Sequence, residues 1–414
     1  MKKISLIGLS LFTAFAVVAQ TTVVKDVERE LKATKPNFSK ALADIKPALT
    51  NPETAETMMP WYLAGKAAFG VFEDAYVQES LGQALTPENK NAAGLAYVEG
   101  YNNYIKALHL DSVPDAKGKI KPKKSKEIQK ELANGFNNIY TAAVFLMQAS
   151  NYDGAYDAWE LYVTMPGNPV LGKSQIPVLP DTILGQAYFY QATCMLASDQ
   201  MKQDDAKVVK ALKKLNQVMG TGFRQPEVYT YGILASNRLG DKAEKTKFAQ
   251  AGYDMYGTAD ITFIGELINN KLEVEDYPGA LEFADKAIAA TDPSNAELLA
   301  QIYSIKGIVA SRSENFDGAI EVLKQSLSYN PNLADANFYL AQAMLQKVEA
   351  TVNADEKLSM TDFKSELLEA AEYLKKAYEL DDVKYSTVPD NLYRIYYNLG
   401  ADYVEESKYW EMLR

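Results

Sequence analysis

Lys306-Gly307 and Ala310 are followed 34 residues later by Leu340-Ala341 and Met344 at the same offsets. Self-similarity at a fixed period of this length constrains the fold more than any other feature of the chain. Each period is one supersecondary unit that cannot bury its apolar face alone, so the units must stack. Within the period, Tyr303, Lys306-Gly307 and Ala310 lie along one helical face, and Asn315-Phe316-Asp317-Gly318 supplies turn residues. Ala319, Leu323 and Ser326 form a second small or apolar face, and Pro331 closes the unit. The preceding unit places Ala280, Ala284, Ala287 and Pro293 close to the equivalent positions. No segment shows the Val/Ile-rich alternation, bounded by turn residues, that marks a sheet.

Weaker copies cover nearly all of the chain. Trp61, Ala64-Gly65 and Ala68 read as a first helix, and the run from Tyr104 to Asp111 as a second. Ile139, Ala142-Ala143 and Leu146 pair with Asn151-Tyr152-Asp153-Gly154-Ala155 and Trp159. Ala370, Leu374 and Ala377 mark another second helix. Tyr396, Leu399-Gly400 and Tyr403 read as a first helix, with Gly400 at the helix–helix seam. Segments 38–52, 183–218 and 228–256 complete the series. Small residues (Gly65, Ala143, Gly307, Ala341) let paired helices approach, and large ones (Trp61, Trp159, Tyr303, Tyr396) fill the space between neighbours. The pattern resembles the tetratricopeptide repeat, and the chain is similar to exported bacterial proteins of that kind, including those of Bacteroidota. The resemblance implies an all-α, right-handed superhelical solenoid of about eight or nine helix hairpins with a concave groove. Expected organisation is a leader over 1–19 and an N-terminal array over 20–224 with inserted loops at about 115–130 and 166–181. A C-terminal array over 225–414 follows, with an insertion near 347–362.

The leader is read from Lys2-Lys3, the apolar run Ile4–Val18 and Val17-Val18-Ala19 before Gln20. These are the positive start, apolar core and small-residue cleavage site of a secretory signal peptide. Its core of about 16 residues falls short of the ~20 a spanning helix needs, and no later stretch is long enough for a transmembrane segment. The expectation is an exported, periplasmic or cell-envelope, soluble protein.

Composition removes most chemistry. One Cys (Cys194) and one His (His109) exclude an intramolecular disulfide and a Cys/His zinc site. With 43 Lys and Arg against 54 Asp and Glu, the net charge of −11 disfavours nucleic acid as a partner. Gly167-Asn168-Pro169-Val170-Leu171-Gly172-Lys173-Ser174 spells a phosphate loop, but no strand precedes it, and Pro177 and Pro180 interrupt any helix after it. His109 reads as a helix-end residue and Cys194 as a buried structural thiol. Glu273, Glu275 and Asp276 lack the spacing of a calcium loop. The six lysines of 117–126 read as a solvated insert. Ser112 and Thr182, each after an Asp and before an apolar residue in an expected loop, fit a short O-glycosylation pattern of exported Bacteroidota proteins.

No catalytic, cofactor or metal site is expected. The function implied by the resemblance is a non-enzymatic scaffold or adaptor that holds a protein or peptide partner in its groove. On the best first helix, the positions one residue round from Tyr303, Gly307 and Ala310 are Gln301, Ser304, Ile308 and Ser311, spaced by three and four. The family lines its concave side with that stripe. Carrying the offset along the chain selects Tyr62, Tyr140, Phe189, Phe338 and Tyr397 as aromatic groove residues, with Asn137, Gln342 and Arg394 beside them. The competing assignment packs them between adjacent first helices. A second functional reading is a glycan-binding helical-repeat protein of the envelope, for which 27 Tyr and 3 Trp supply stacking faces.

Overall fold

A computed structural model describes residues 22–174, 176–200 and 204–414; the expected leader lies outside them. All regular structure among the described residues is helical. The chain divides into two compact units at Val228/Tyr229.

In the N-terminal unit, α1 (22–30) precedes α2 (Phe38–Thr50), and α3 (Met58–Ser80) pairs with α4 (Pro87–Asp111). The short α5 (Ser125–Asn134) stands outside the pairing. Then α6 (Phe136–Gln148) pairs with α7 (Tyr152–Thr164), and α8 (Asp181–Gln200) with α9 (Asp205–Met219). The C-terminal unit opens with α10 (Pro226–Arg238), which begins just before the division, and α11 (Lys242–Tyr256). It continues as the pairs α12 (Ile261–Leu272) and α13 (Tyr277–Ala290), α14 (Ala296–Arg312) and α15 (Phe316–Tyr329), α16 (Ala334–Ala354) and α17 (Lys364–Leu380), and α18 (Val388–Leu399) and α19 (Val404–Glu411). That makes nine helix pairs among the described residues.

The hairpin seams follow the small-residue pattern. A Cβ on Gly65 would lie 2.3 Å from the Tyr104 ring, and one on Gly307 would lie 2.4 Å from Cγ of Leu323. Only a glycine admits helices this close. Ala143 and Ala341 are fully buried. Gly400 departs from the expectation: it follows the last residue of α18 with φ +81°, and a Cβ there would meet nothing within 4 Å. It follows the helix end at a positive φ with ψ −149°, a backbone conformation open to glycine, rather than opening a seam, because α18 stops one residue earlier. Tyr403 accordingly sits in a 3-10 turn beyond the helix.

A tight helix–helix turn recurs in near-identical form. Ser150, Glu275 and Glu314 have φ of 58°, 58° and 61°, and Gly240 has 68° at the matching place. The next residue (Asn151, Asp241, Asp276 or Asn315) caps the second helix by accepting a backbone N–H three residues on. Its own N–H donates back to the first helix, as from Asn315 to the Ala310 carbonyl at 3.0 Å. Both orphan ends are thereby satisfied within one bend. Asp276, weighed in the sequence as part of an acidic cluster, is such a cap, and Glu273 pairs with Lys242 at 2.7 Å.

Two insertions are more helical than expected. Residues 125–130 form the first half of α5, and α16 runs on to Ala354 before a turn capped by Ser359 and Asp362. The start of α5 is tied to the end of α4 by Asp111. Its carboxylate accepts the backbone N–H groups of Lys123, Lys124 and Ser125 and the Ser125 hydroxyl, at 2.7–3.0 Å. Burial alone would raise this carboxyl; the four donors outweigh it and hold the group below the ordinary carboxylate value. The described residues of 166–180 are non-helical apart from one 3-10 turn at Pro169–Leu171, so the phosphate-loop spelling follows a helix instead of a strand, and the next α-helix begins only at Asp181. Ser112 directly follows α4, whereas Thr182 stands in the first turn of α8, not in a loop.

Candidate functional site

The first helices α14 and α16 and the start of α18 enclose a cleft of about 720 Å³ in the C-terminal unit. Ile308, Ser311 and Arg312 of α14 form one wall. Phe338 and Tyr339 of α16 form the aromatic floor, Gln342 and Gln346 of the same helix add amides to the lining, and Asp390 and Asn391 of α18 stand on the far side. Helical spacing explains the set: residues three and four apart share a face, so each helix contributes a stripe. Phe338 is held by ring stacking on Tyr385, with centroids 4.7 Å apart, and by an edge contact with Tyr339 at 5.4 Å. Tyr385 donates its hydroxyl to the Asp335 carboxylate, which Lys384 also reaches at 2.6 Å. Burial and that carboxylate push the Tyr385 phenol well above its ordinary value. The aromatic floor is therefore fixed from beneath by a neutral phenol and an ion pair.

The upper surface is polar. Ser311 donates to Oε1 of Gln346 at 2.7 Å, bridging α14 and α16. Asp390 is saturated: Nε of Arg394 lies 2.9 Å from one of its oxygens and Nη2 of Arg414 2.8 Å from the other. The Arg414 guanidinium also covers the Tyr393 ring, 4.5 Å from its centroid. An apolar floor rimmed by amides and hydroxyls is suited to an extended polypeptide, whose backbone needs alternating donors and acceptors while one side chain enters the floor.

The residues selected from sequence divide clearly. Phe338 and Gln342 line this cleft, as do Ile308 and Ser311 of the stripe. Arg394 and Tyr397 are exposed on α18 outside its lining; Arg394 pairs with Asp390, and Tyr397, 67% exposed, tilts against Tyr393. Tyr62, Phe189 and Ser304 are corrected: all three are buried and unavailable to a ligand. Tyr62 is covered because the inserted α5 brings Glu127 onto its hydroxyl and Lys124 over its ring. Phe189 packs against Phe223 from the segment after α9. Ser304 faces inward on α14, so of the stripe Ile308 and Ser311 reach the cleft. Arg312, Tyr339, Gln346 and Asn391 were missed, although Arg312 and Gln346 lie one turn beyond Ile308 and Gln342 on the same faces.

In the N-terminal unit, Asn137 lines a smaller cleft of about 350 Å³ with Phe136, Tyr162 and residues 176–180. The proline-rich insertion itself walls this cleft, and Ile176 is buried in doing so. Tyr140 is half-buried, its ring edge-on to Trp159 at 5.0 Å, so it belongs to packing between helices. Cys194 is fully buried, and burial pushes its thiol up to about 12, the condition of an inert thiol rather than a nucleophile. No helix among the described residues is long and apolar enough to cross a membrane.

No protein-family model matches the chain, and no curated protein matches it at a significant level. Among solved structures, it is similar to the C-terminal part of a TPR repeat-containing protein from Cytophaga hutchinsonii. That likeness has 15% identity and a TM-score of 0.43, over 67% of this chain and 93% of the other. It is also similar to the P58(IPK) TPR domain (13%, TM-score 0.31, 92% and 98% covered) and to the yeast Sti1 TPR2AB domain in a structure described as a complex with pHSP90 (13%, TM-score 0.24, 76% and 98% covered). All three scores lie below 0.5, so the architecture rests on the glycine seams and capped turns described above. By those features, the chain is an all-α array of tetratricopeptide-like helix hairpins.

Proposed function

We propose that the protein is an exported, non-enzymatic scaffold that holds an extended segment of a partner protein in the cleft between α14, α16 and α18. The observation that carries this reading is the pairing of a fixed aromatic floor with an amide-rich rim on consecutive first helices. Binding energy would concentrate in the apolar anchor at Phe338, with Gln342, Gln346 and Asn391 setting register on the peptide backbone. Cys194 is sealed in the core, and both oxygens of Asp390 are engaged by arginines. Glycan binding is less well supported, because Trp159 is fully buried and Trp410 nearly so, while Trp61 is half-buried and donates its ring N–H to the Ala55 carbonyl. Export rests on the reading of Lys2-Lys3 and the apolar run, and native material should begin near Gln20 on N-terminal sequencing.

The test is capture from an exported-fraction lysate by the wild-type chain and by Phe338→Leu and Gln342→Ala. Both variants should keep the helical circular-dichroism signal and lose the captured protein. Unaltered capture would move the site elsewhere, and recovery of polysaccharide in place of protein would support the glycan reading.

A further inference from the structure

We propose that the loop between α4 and α5, together with the outer face of α5, docks the protein on an anionic lipid surface. Its lysines meet headgroup phosphates while Val113 and Ile120 enter the interface. The first observation is where positive charge gathers. Residues 22–228 are balanced, with 23 Lys and Arg against 23 Asp and Glu, yet 112–130 carry seven lysines and only two acids. Both acids are already engaged. Asp115 accepts the backbone N–H groups of Lys117 and Lys119 at 2.9 and 3.0 Å and pairs with Lys121 at 3.2 Å. Glu127 accepts the Tyr62 hydroxyl and pairs with Lys124 at 2.6 Å. Lys117, Lys119, Lys123, Lys126 and Lys130 are exposed, and their ammonium groups have no partner among the described residues. Lys126 and Lys130 stand one turn apart on the outside of α5, whose inner side buries Ile128 and Leu132 and turns Glu131 onto the Tyr104 hydroxyl.

The second observation separates a lipid surface from a soluble polyanion. Every residue of 112–123 is exposed, and Val113 and Ile120 are each 55% exposed in the midst of the lysines. A polyanion in water satisfies the ammonium groups and offers nothing to an isoleucine between two of them. A lipid interface rewards both, taking the aliphatic side chains below the plane at which the lysines meet phosphate.

The third is that the loop can shed water at small cost. Asp111 closes its base, as described above. Its tip is a tight turn in which Asp115 N–H donates to the Lys119 carbonyl at 2.9 Å and Gly118 N–H to the Asp115 carbonyl at 2.8 Å, with Gly118 at φ +71°. Of the ten backbone N–H groups in 112–123, seven find acceptors in the loop or at its base, and Pro114 and Pro122 carry none. A backbone donor left unpaired away from water is costly, so a loop that satisfies its own donors is suited to the edge of a bilayer.

The experiment floats the full chain with vesicles of phosphatidylcholine alone or with a third of phosphatidylglycerol, at low and high salt, and measures dextran sulfate binding in parallel. The chain should float with the anionic vesicles only, and added salt should release most of it. Replacing Lys117, Lys119, Lys123 and Lys126 together by Gln should weaken partition by on the order of a hundredfold or more, since each lysine near an anionic surface is worth roughly fivefold. Ile120→Asn should weaken vesicle binding several-fold and leave dextran sulfate binding unchanged. Absence of flotation, equal flotation with neutral vesicles, or full binding by the quadruple variant would overturn the proposal. Unaltered vesicle binding by Ile120→Asn would make the loop a site for soluble polyanions and overturn the lipid assignment. The peptide groove is a separate matter, so Phe338→Leu should float as the wild type does. All the substituted loop positions are exposed, and unchanged circular dichroism checks that the variants fold.

Discussion

Gly265 and Gly307 provide a matched pair of perturbations within one unit, because both sit inside first helices and differ only in what faces them. A Cβ on Gly265 would have nothing within 4 Å. Gly265→Ala therefore changes only backbone entropy and helix propensity, and should stabilise by about 0.5–1 kcal/mol. A Cβ on Gly307 would stand 2.4, 2.8 and 3.1 Å from Cγ, Cδ2 and Cδ1 of Leu323. The nearest of these is more than an ångström inside the ~3.5–4.0 Å optimum for carbon contacts. Leu323 is fully buried, so it cannot relieve the contact by turning out into solvent. Overpacking of this kind costs about 1–3 kcal/mol, against which the same propensity gain of about 1 kcal/mol applies. Gly307→Ala should therefore be destabilising by up to about 2 kcal/mol, opposite in sign to Gly265→Ala. Urea unfolding followed by circular dichroism measures both, with the slope compared to check that the exposed surface is unchanged. A second variant isolates the cause: adding Leu323→Ala to Gly307→Ala should cost less than the sum of the single changes, since the new methyl occupies part of the cavity. If Gly307→Ala stabilises as much as Gly265→Ala does, the close approach of α14 and α15 is wrong.

Three further outcomes follow from the local geometry. The Asp111 carboxyl lies below its ordinary value in the folded chain, so its contribution is fully present above the unfolded carboxylate pKa and is lost as pH falls through the lower folded value. Asp111→Asn should abolish that part of the acid dependence and speed amide exchange at the start of α5; an unchanged acid profile would refute the role given to the four donors. Gly400→Ala and Gly400→Leu should each cost about 1–3 kcal/mol and by similar amounts, because the penalty is a backbone conformation essentially reserved to glycine rather than crowding; a much larger loss for Leu would put Gly400 back in a seam. Glu314→Gly should raise the melting temperature modestly, because relief of about 1–2 kcal/mol at φ 61° exceeds the roughly 0.5–1 kcal/mol entropic cost of glycine, and a lowered one would mean the Glu314 side chain contributes an interaction of its own.

Local chemistry is what the sequence alone determined. The helix pairs, the seam glycines 65 and 307 and the cap at Asn315 depend on contacts between residues near in sequence, so their spelling survives in the pattern. The 34-residue step then implies stacking, since no single pair can bury its own face. Gly400 marks the limit of that reading: its place in the pattern matched a seam, but α18 ends one residue too soon, and helix ends are set by a balance of caps that one residue can tip. The groove was legible only where neither insertion nor flanking segment intervened. Ile308, Phe338 and Gln342 stand in the longest uninterrupted register, and the tertiary structure brings them to one cleft. Tyr62 carried the same helical offset, yet α5 lays Glu127 and Lys124 across it; Asn137 faces a cleft walled by the proline-rich segment. Periodicity assigns a residue to a face of its helix. Whether that face meets solvent is decided by segments distant in sequence, and the tethering of α5 by Asp111 is a contact that no repeat pattern encodes.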